Sequence, residues 1–303
     1  MGQDHEKQQV IIEGHSITLT HLSKILWKEK KISKAHYLQY LTSIAPYVLP
    51  FFKNRALTLI RYPHGVPGES FFQKSIPDYA PEIVRFKGHI HCDQLASLIW
   101  LGNQSTIEFH IPFQYIGEAN PCEIVFDLDP PSKEDFSVAV LAAKTIKEIL
   151  DRLHLTGFVK TSGSRGIQIH IPLIKRTFTY HDTRLFTTFV AKLLLEMHPN
   201  QFTTERLKHK RNNKLYLDIV QHGKNKTIIA PYSMRANEQG LVAAPLDWKE
   251  VNSSLRLETF THEVVIQRLH TNGDPFQSYF NVENEQAFRS VLEQLNKNKA
   301  API

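Results

Sequence analysis

Residues 123–131, Glu-Ile-Val-Phe-Asp-Leu-Asp-Pro-Pro, decide how this chain is read. An apolar run, Ile124 to Phe126, leads into Asp127 and Asp129, and Pro130 with Pro131 ends the strand. Side chains two apart in a strand point to one face, so the two carboxylates can share a cation. Carboxylates a few ångströms apart repel, and keeping both ionised requires a strong positive charge between them, which a divalent ion supplies. Asp218, in the apolar stretch 215–220 (LYLDIV), is a third acid that burial would make costly without a partner. Oxygen ligands suit Mg²⁺ or Mn²⁺, and two such ions can activate an attacking hydroxyl and stabilise a leaving pyrophosphate. Taken singly, DLDP also fits two solvated acids at a strand end, and Asp218 a buried ion pair with a neighbouring Lys or Arg.

Downstream stands Lys160-Thr161-Ser162-Gly163-Ser164-Arg165-Gly166. Glycines let backbone amides approach an anion, Ser162 and Ser164 offer hydroxyls, and Arg165 offers a bidentate fork, a set suited to a triphosphate. The segment equally fits a polar hairpin turn, and it lacks the GK-[ST] ending of a Walker loop. Alternation in 107–113 (IEFHIPF) leaves His110 facing either a cleft or solvent, and Arg235 follows a strand where it can reach a phosphate or form a surface ion pair. Phe71 and Phe72, between turn glycines and Lys74, read as core by default and as a base-stacking pair if exposed.

The rest of the chain alternates strands and helices. Residues 11–20 read as a strand after a mobile tail over 1–10, and Lys34 to Leu49 as an amphipathic helix stopped by Pro50. Asp93 is expected to cap a short helix ending near Gly102. Further helices are predicted over 137–154, 181–198 and 285–295, strands over 56–61, 106–113 and 227–233, and a hairpin or strand-turn-strand over 158–173. Residues beyond Ala236 read as irregular up to the last helix. No repeat or long linker appears, so one mixed α/β unit over 1–303 is expected. A formal charge of +6 favours polyanionic partners, and two cysteines with no metal-ligand spacing fit a reducing compartment. Neither a secretory leader nor a bilayer-length apolar run is present, so a cytoplasmic location is expected.

In order and spacing these motifs resemble the polymerase domain of bacterial DNA ligase D, the end-joining branch of the archaeo-eukaryotic primase superfamily, from about Leu19 to Trp248. The resemblance implies an α/β (α+β) fold with a primase-like catalytic core of mainly antiparallel sheets flanked by helices. It implies a template-directed, ribonucleotide-preferring nucleotidyltransferase that fills gaps at 5′-phosphorylated double-strand break ends in non-homologous end joining. By the family's motifs, Asp127, Asp129 and Asp218 are the catalytic metal ligands for two Mn²⁺ or Mg²⁺ ions. His110, Ser162, Ser164, Arg165, Gly166, Gln168, Gln221 and Arg235 fall on nucleotide positions. Lys24 and Lys34 match lysines that grip a 5′-phosphate, Arg61, Phe71, Phe72 and Lys74 lie by the template, and Arg211 matches a mobile-loop arginine. The implied partners are gapped or broken DNA, nucleoside triphosphates, Ku and a DNA ligase module, with a nucleoid-associated, non-membrane setting. The chain has no room for that ligase or a nuclease module, so it reads as a standalone polymerase or an excised domain.

Three positions differ from the family pattern. Arg165 stands where relatives carry Lys, Gln168 where motif II carries His, with His170 two residues on, and His21 where Asn is expected. Two other readings compete: a metal-dependent nuclease or phosphohydrolase, which would leave SGSRG and Arg235 unused, and a non-catalytic DNA-end binding module, which would not need Asp127.

Overall fold

The computed structural model describes residues 7–300, with side chains through 297. In chain order the first nine strands are β1 (Lys7–Ile12), β2 (His15–Thr20), β3 (Ile25–Trp27), β4 (Ile32–Ser33), β5 (Thr58–Arg61), β6 (Phe71–Gln73), β7 (Arg85–Phe86), β8 (His89–Ile90) and β9 (Thr106–Pro112). They are followed by β10 (Glu123–Asp129), β11 (Phe158–Thr161), β12 (Ile167–Pro172), β13 (Phe202–Thr203), β14 (Leu215–Leu217), β15 (Thr227–Ile229) and β16 (Pro245–Leu246). The helices are α1 (Lys34–Phe52), α2 (Leu95–Asn103), α3 (Phe136–Arg152), α4 (Tyr180–Met197), α5 (His262–Asn272) and α6 (Glu285–Ala300). The chain clusters into two compact units: 1–112 with 227–244 and 257–273, and 113–226 with 245–256 and 274–303.

The first unit carries an antiparallel sheet of order β15-β9-β5-β6 and three two-stranded hairpins. The strand expected over 11–20 is a hairpin, because Glu13 and Gly14 both take positive φ and turn the chain back so that Ile12 pairs with His15. Lys7 to Val10 of the expected tail belong to its first strand, and residues 1–6 lie outside the described residues. Helix α1 begins at Lys34 as predicted, capped by the Ser33 hydroxyl, but Pro50 does not stop it. Both Pro46 and Pro50 are exposed, so the carbonyls that lose a donor face water, while Tyr37, Tyr40, Leu41, Ile44, Val48, Phe51 and Phe52 bury the opposite face. Helix α2 is capped by Gln94 in a capping box with Ser97, not by Asp93. Helix α5, capped by Thr261, occupies a segment read as irregular.

The second unit is built on a sheet of order β13-β14-β10-β12-β11-β16, antiparallel except for β13 against β14. Register makes it two-faced. Ile124, Phe126 and Leu128 of β10 lie opposite Ile171, Ile169 and Ile167 of β12, all buried, and Phe126 meets Phe186 of α4. The other face of the same strands is polar, with Asp127 opposite Gln168 and Val125 opposite His170. At the start of β10 the fully buried Glu123 accepts from His170 Nδ1 at 2.8 Å and from the Tyr279 hydroxyl at 2.5 Å. This network fixes the root of the strand that carries the aspartates. The motif II departure is thus split: His170 anchors β10, and Gln168 reaches the acids.

Removing one hydrogen-bond partner of a fully buried carboxyl group leaves it under-satisfied, so His170→Phe should cost about 3 kcal/mol of unfolding free energy by denaturant titration. A loss within 0.5 kcal/mol, roughly the size of an ordinary surface substitution, would show that Glu123 does not depend on His170.

Candidate active site

Antiparallel pairing sets Leu128 opposite Leu217 and Asp129 opposite Tyr216. Continuing that register one step places Asp218 beside Asp127. On the other side of β10, Asp127 faces Gln168, which in turn faces Lys160 of β11. Four polar residues, Asp218, Asp127, Gln168 and Lys160, therefore form a row across one face of the sheet, with Asp129 two residues along β10. Lys160 and Gln168 are buried, and Gln168 Nε2 donates to Asp127 Oδ1 at 3.0 Å. Gln168 is only 3% exposed, so it orients Asp127 rather than presenting itself to a phosphate. Lys160 was not among the residues singled out from sequence; a lysine at the entry to a polar turn reads as solvated, and only the register shows it pointing along the acid row.

Each acid has a distinct environment. Half-buried Asp127 has its carboxyl pushed up to about 6 by burial, countered by the Gln168 hydrogen bond and the Lys160 charge and reinforced by Asp129 and Asp218. Asp129 is gripped by Arg165, whose Nε donates to Oδ1 at 2.6 Å and whose terminal nitrogen donates to Oδ2 at 2.5 Å. Asp218 lies one residue past β14 instead of inside a strand. Its Oδ1 accepts from the amides of Val220 at 3.0 Å and Gln221 at 2.9 Å and from the Tyr216 hydroxyl at 3.3 Å, which turns the chain immediately after the strand. Among the described residues, no three acidic, histidine or cysteine side chains stand in an arrangement ready to hold a metal ion. The donor chemistry still suits a hard divalent cation: three carboxylates on one ledge, two of them raising the proton affinity of the third.

The turn after β11 is more closed than its composition suggests. Ser162 Oγ accepts from the amides of Ser164 at 3.2 Å and Gly166 at 3.0 Å, so these N–H groups are satisfied within the turn. Gly166 has a packing reason of its own, since a Cβ there would stand 2.4 Å from the Leu128 carbonyl oxygen. Gln221 contributes its amide to Asp218, and its side chain is half-buried. Arg211 lies over the Tyr216 ring at 3.9 Å and donates to the carbonyls of Glu205 and Arg206.

The first unit holds the remaining candidates. His110 Nε2 and Arg235 both bond to Glu108 Oε2, at 2.9 Å and 3.3 Å. Glu108 was not singled out from sequence, although it shares a strand face with His110. Burial alone would raise its pKa, but the His110 hydrogen bond, the charges of Arg235 and His110, and the Ala236 amide hold it below the ordinary carboxylate range. Phe71 and Phe72 are 44% and 70% exposed on edge strand β6, not core, and exposed Lys74 follows. Arg61 stacks on Phe71 at 5.2 Å and is held by Gln104, Gln73 and Tyr79. Lys34 is 3% exposed and donates to the carbonyls of Thr20 and Asn103, each at 2.8 Å. Burial, then the charges of Lys24 and Arg61, bring its ammonium down to about 8. Lys24 donates to the Pro63 carbonyl. Lys24 and Arg61 thus lie close enough to Lys34 for their charges to disfavour its own.

The family model described as "LigD, primase-polymerase domain" matches residues 33–276. The chain belongs to this family. It is 48% identical over 286 residues to the bifunctional non-homologous end joining protein LigD of Bacillus subtilis, covering 93% of this chain and 47% of that protein. It is 29% identical over 270 residues to the multifunctional non-homologous end joining protein LigD of Mycolicibacterium smegmatis, covering 85% and 35%. The chain thus spans less than half the length of these relatives. The fold matches that of the polymerase domain of Mycobacterium tuberculosis Ligase D, solved in complex with DNA, with a TM-score of 0.80 at 27% identity, over 88% of this chain and 98% of that one. As in that LigD domain, antiparallel sheets and helices make up a mixed α/β structure.

A raised folded-state pKa at Asp127 makes a pH prediction. Between the ordinary carboxylate value near 3.8 and about 6, the unfolded chain gives up this proton while the folded chain retains it, so stability falls as pH rises and stays lower above 6. Asp127→Asn keeps an acceptor for Gln168 and removes the penalty. It should stabilise the fold by about 2 kcal/mol at pH 7.5, fading to nothing as pH falls from 6 towards 4. Thermal melts across that range would refute the assignment if the Asn variant were less stable than the unaltered chain at pH 7.5.

Proposed function

We propose that this chain is a template-directed nucleotidyltransferase that fills gaps at 5′-phosphorylated DNA break ends during end joining, with a preference for ribonucleotides. The observation that carries the reading is the row Asp218-Asp127-Gln168-Lys160 with Asp129 alongside, an array of acids that phosphoryl-transfer chemistry uses and a folded protein otherwise avoids. Family membership and the DNA carried by the solved M. tuberculosis domain support it.

Asp127, Asp129 and Asp218 would hold two Mn²⁺ or Mg²⁺ ions, which when bound supply charge neutralisation and activation of a primer 3′-hydroxyl for attack on the α-phosphate, with pyrophosphate leaving. Gln168 keeps Asp127 turned onto the ledge, and the amides of Val220 and Gln221 keep Asp218 beside it. Arg165 supplies a positive partner for Asp129 and, on nucleotide arrival, exchanges that carboxylate for triphosphate oxygens. The exchange is feasible because the pair is about 40% exposed on both sides, where a bidentate bridge is worth only about 1 kcal/mol. By the family match, Ser162, Ser164, Gly166 and Gln221 of the second unit are assigned to nucleotide contacts, as are His110 and Arg235 of the first unit. Phe71 and Phe72 are suited to base stacking at the template beside Arg61 and Lys74, with Lys24 and Lys34 assigned to a terminal phosphate and Arg211 to a loop that contacts DNA. Ku and a ligase module are the proposed working partners.

Primer extension on a gapped duplex with a 5′-phosphate, using each nucleotide with Mn²⁺ or Mg²⁺ in turn, tests the reading. Incorporation should be template-directed, faster with ribonucleotides and Mn²⁺, and reduced at least ~10³-fold by Asp218→Ala with DNA binding retained. Cleavage of the duplex without nucleotide would instead mark a nuclease. End binding with no incorporation under either metal would mark a bridging module.

A further inference from the structure

Glu108 is the one acid on the central strand of the first unit's sheet, and it is 5% exposed. A buried carboxylate persists only where donors replace its water, and three converge here. His110 Nε2 and an Arg235 terminal nitrogen meet the same oxygen, Oε2, while the Ala236 amide bonds Oε1 at 3.0 Å. Both partners come from rigid backbone. His110 is on β9, paired with Thr58 of β5 and Ile229 of β15. The segment carrying Arg235 is pinned by the Tyr40 hydroxyl on the Tyr232 carbonyl at 2.6 Å, by the Phe109 amide on Ser233 Oγ at 3.0 Å, and by the Arg235 amide on the Leu241 carbonyl at 2.8 Å. Only the two side-chain ends have freedom left, and the shared oxygen removes it.

We infer that Glu108 is a positioning residue that yokes His110 and Arg235, so that the two groups assigned to one nucleotide are set as a pair and not separately. This rests on the proposed nucleotide role of His110 and Arg235 and adds what fixes their geometry. A long arginine side chain ordered in advance spares the ordering cost that would otherwise weaken binding. Because one oxygen serves both, disturbing either partner loosens the other. Glu108→Gln, similar in shape but uncharged, has one acceptor oxygen where Glu108 uses two, so with that oxygen on His110 and Arg235 its NH2 would face the Ala236 amide, and the charge that holds the guanidinium is gone.

The test is a double-mutant cycle on His110→Ala and Arg235→Ala, run once with Glu108 present and once with Glu108→Gln, in the intact chain. Two readouts are taken: unfolding free energy without ligand, and equilibrium binding of ATP with Mn²⁺ by calorimetry. With Glu108 present the two losses should be strongly non-additive, with the double variant about tenfold tighter for ATP than the product of the single effects. With Gln at 108 they should multiply to within about twofold. A purely structural Glu108 would lower stability and affinity in every background and leave the coupling unchanged, and that result, or additivity in both backgrounds, overturns the inference. If the unaltered chain bound no ATP, the proposed function would fail, and the unfolding cycle would still decide whether Glu108 couples the two. Should Gln at 108 prevent folding, coupling between His110→Gln and Arg235→Lys in the Glu108 protein decides instead, with additivity overturning the yoke.

Discussion

Three carboxylates on one ledge of a β-sheet constrain everything around them. Asp218 directly follows the strand β14 that pairs with β10, Asp129 shares a strand face with Asp127, and the charges of Asp129 and Asp218 add to burial in raising the Asp127 pKa. The chain answers with polar and cationic groups at defined positions. Gln168 and Lys160 extend the row to one side, amides after β14 bind Asp218, and Arg165 takes both oxygens of Asp129. The opposite face of the same strands is wholly apolar, which is why a strand carrying two aspartates can still be central to its sheet.

Much of this was legible in the sequence, because it depends on period-two alternation. The residues at 123–129 alternate Glu, Val, Asp, Asp on one face with Ile, Phe, Leu on the other, and both aspartates emerge where the alternation places them. The helices over 136–152 and 180–197 carry clear apolar stripes and appear within a residue or two of expectation. Features set by partners distant in sequence were not legible. Helix α1 passes two prolines because its buried aromatic face outweighs local propensity, and α5 has too few buried positions, with His262, Val265 and Leu269 its only fully buried residues, to show a strong stripe. Asp218 reads as a strand residue until its side chain is seen closing the next turn.

The candidate site was legible as a set of residues and not as a set of contacts. Gln168 stands at a nucleotide position by motif, yet its amide is buried against Asp127. Lys34 matches a family phosphate lysine by motif, yet its ammonium is buried and donates to two backbone carbonyls. Phe71 and Phe72 read as core or as a base-stacking pair from composition alone and as template residues by the resemblance, and edge strand β6 exposes both. Glu108 left no signal in sequence beyond sharing a face with His110, since the partner that explains it, Arg235, lies more than a hundred residues away.

Arg165 holds Asp129, and under the function we propose, divalent ions would replace it as the positive partner of this carboxylate and a triphosphate would replace Asp129 as the anionic partner of Arg165. Equilibrium Mn²⁺ binding without nucleotide or DNA measures this directly. Removing the guanidinium with Arg165→Ala should free both Asp129 oxygens and tighten Mn²⁺ binding about fivefold, the equivalent of a bidentate bridge worth about 1 kcal/mol. Mn²⁺ affinity unchanged or weakened in that variant would contradict the account, because Arg165 and the metal would then not be competing for the same carboxylate.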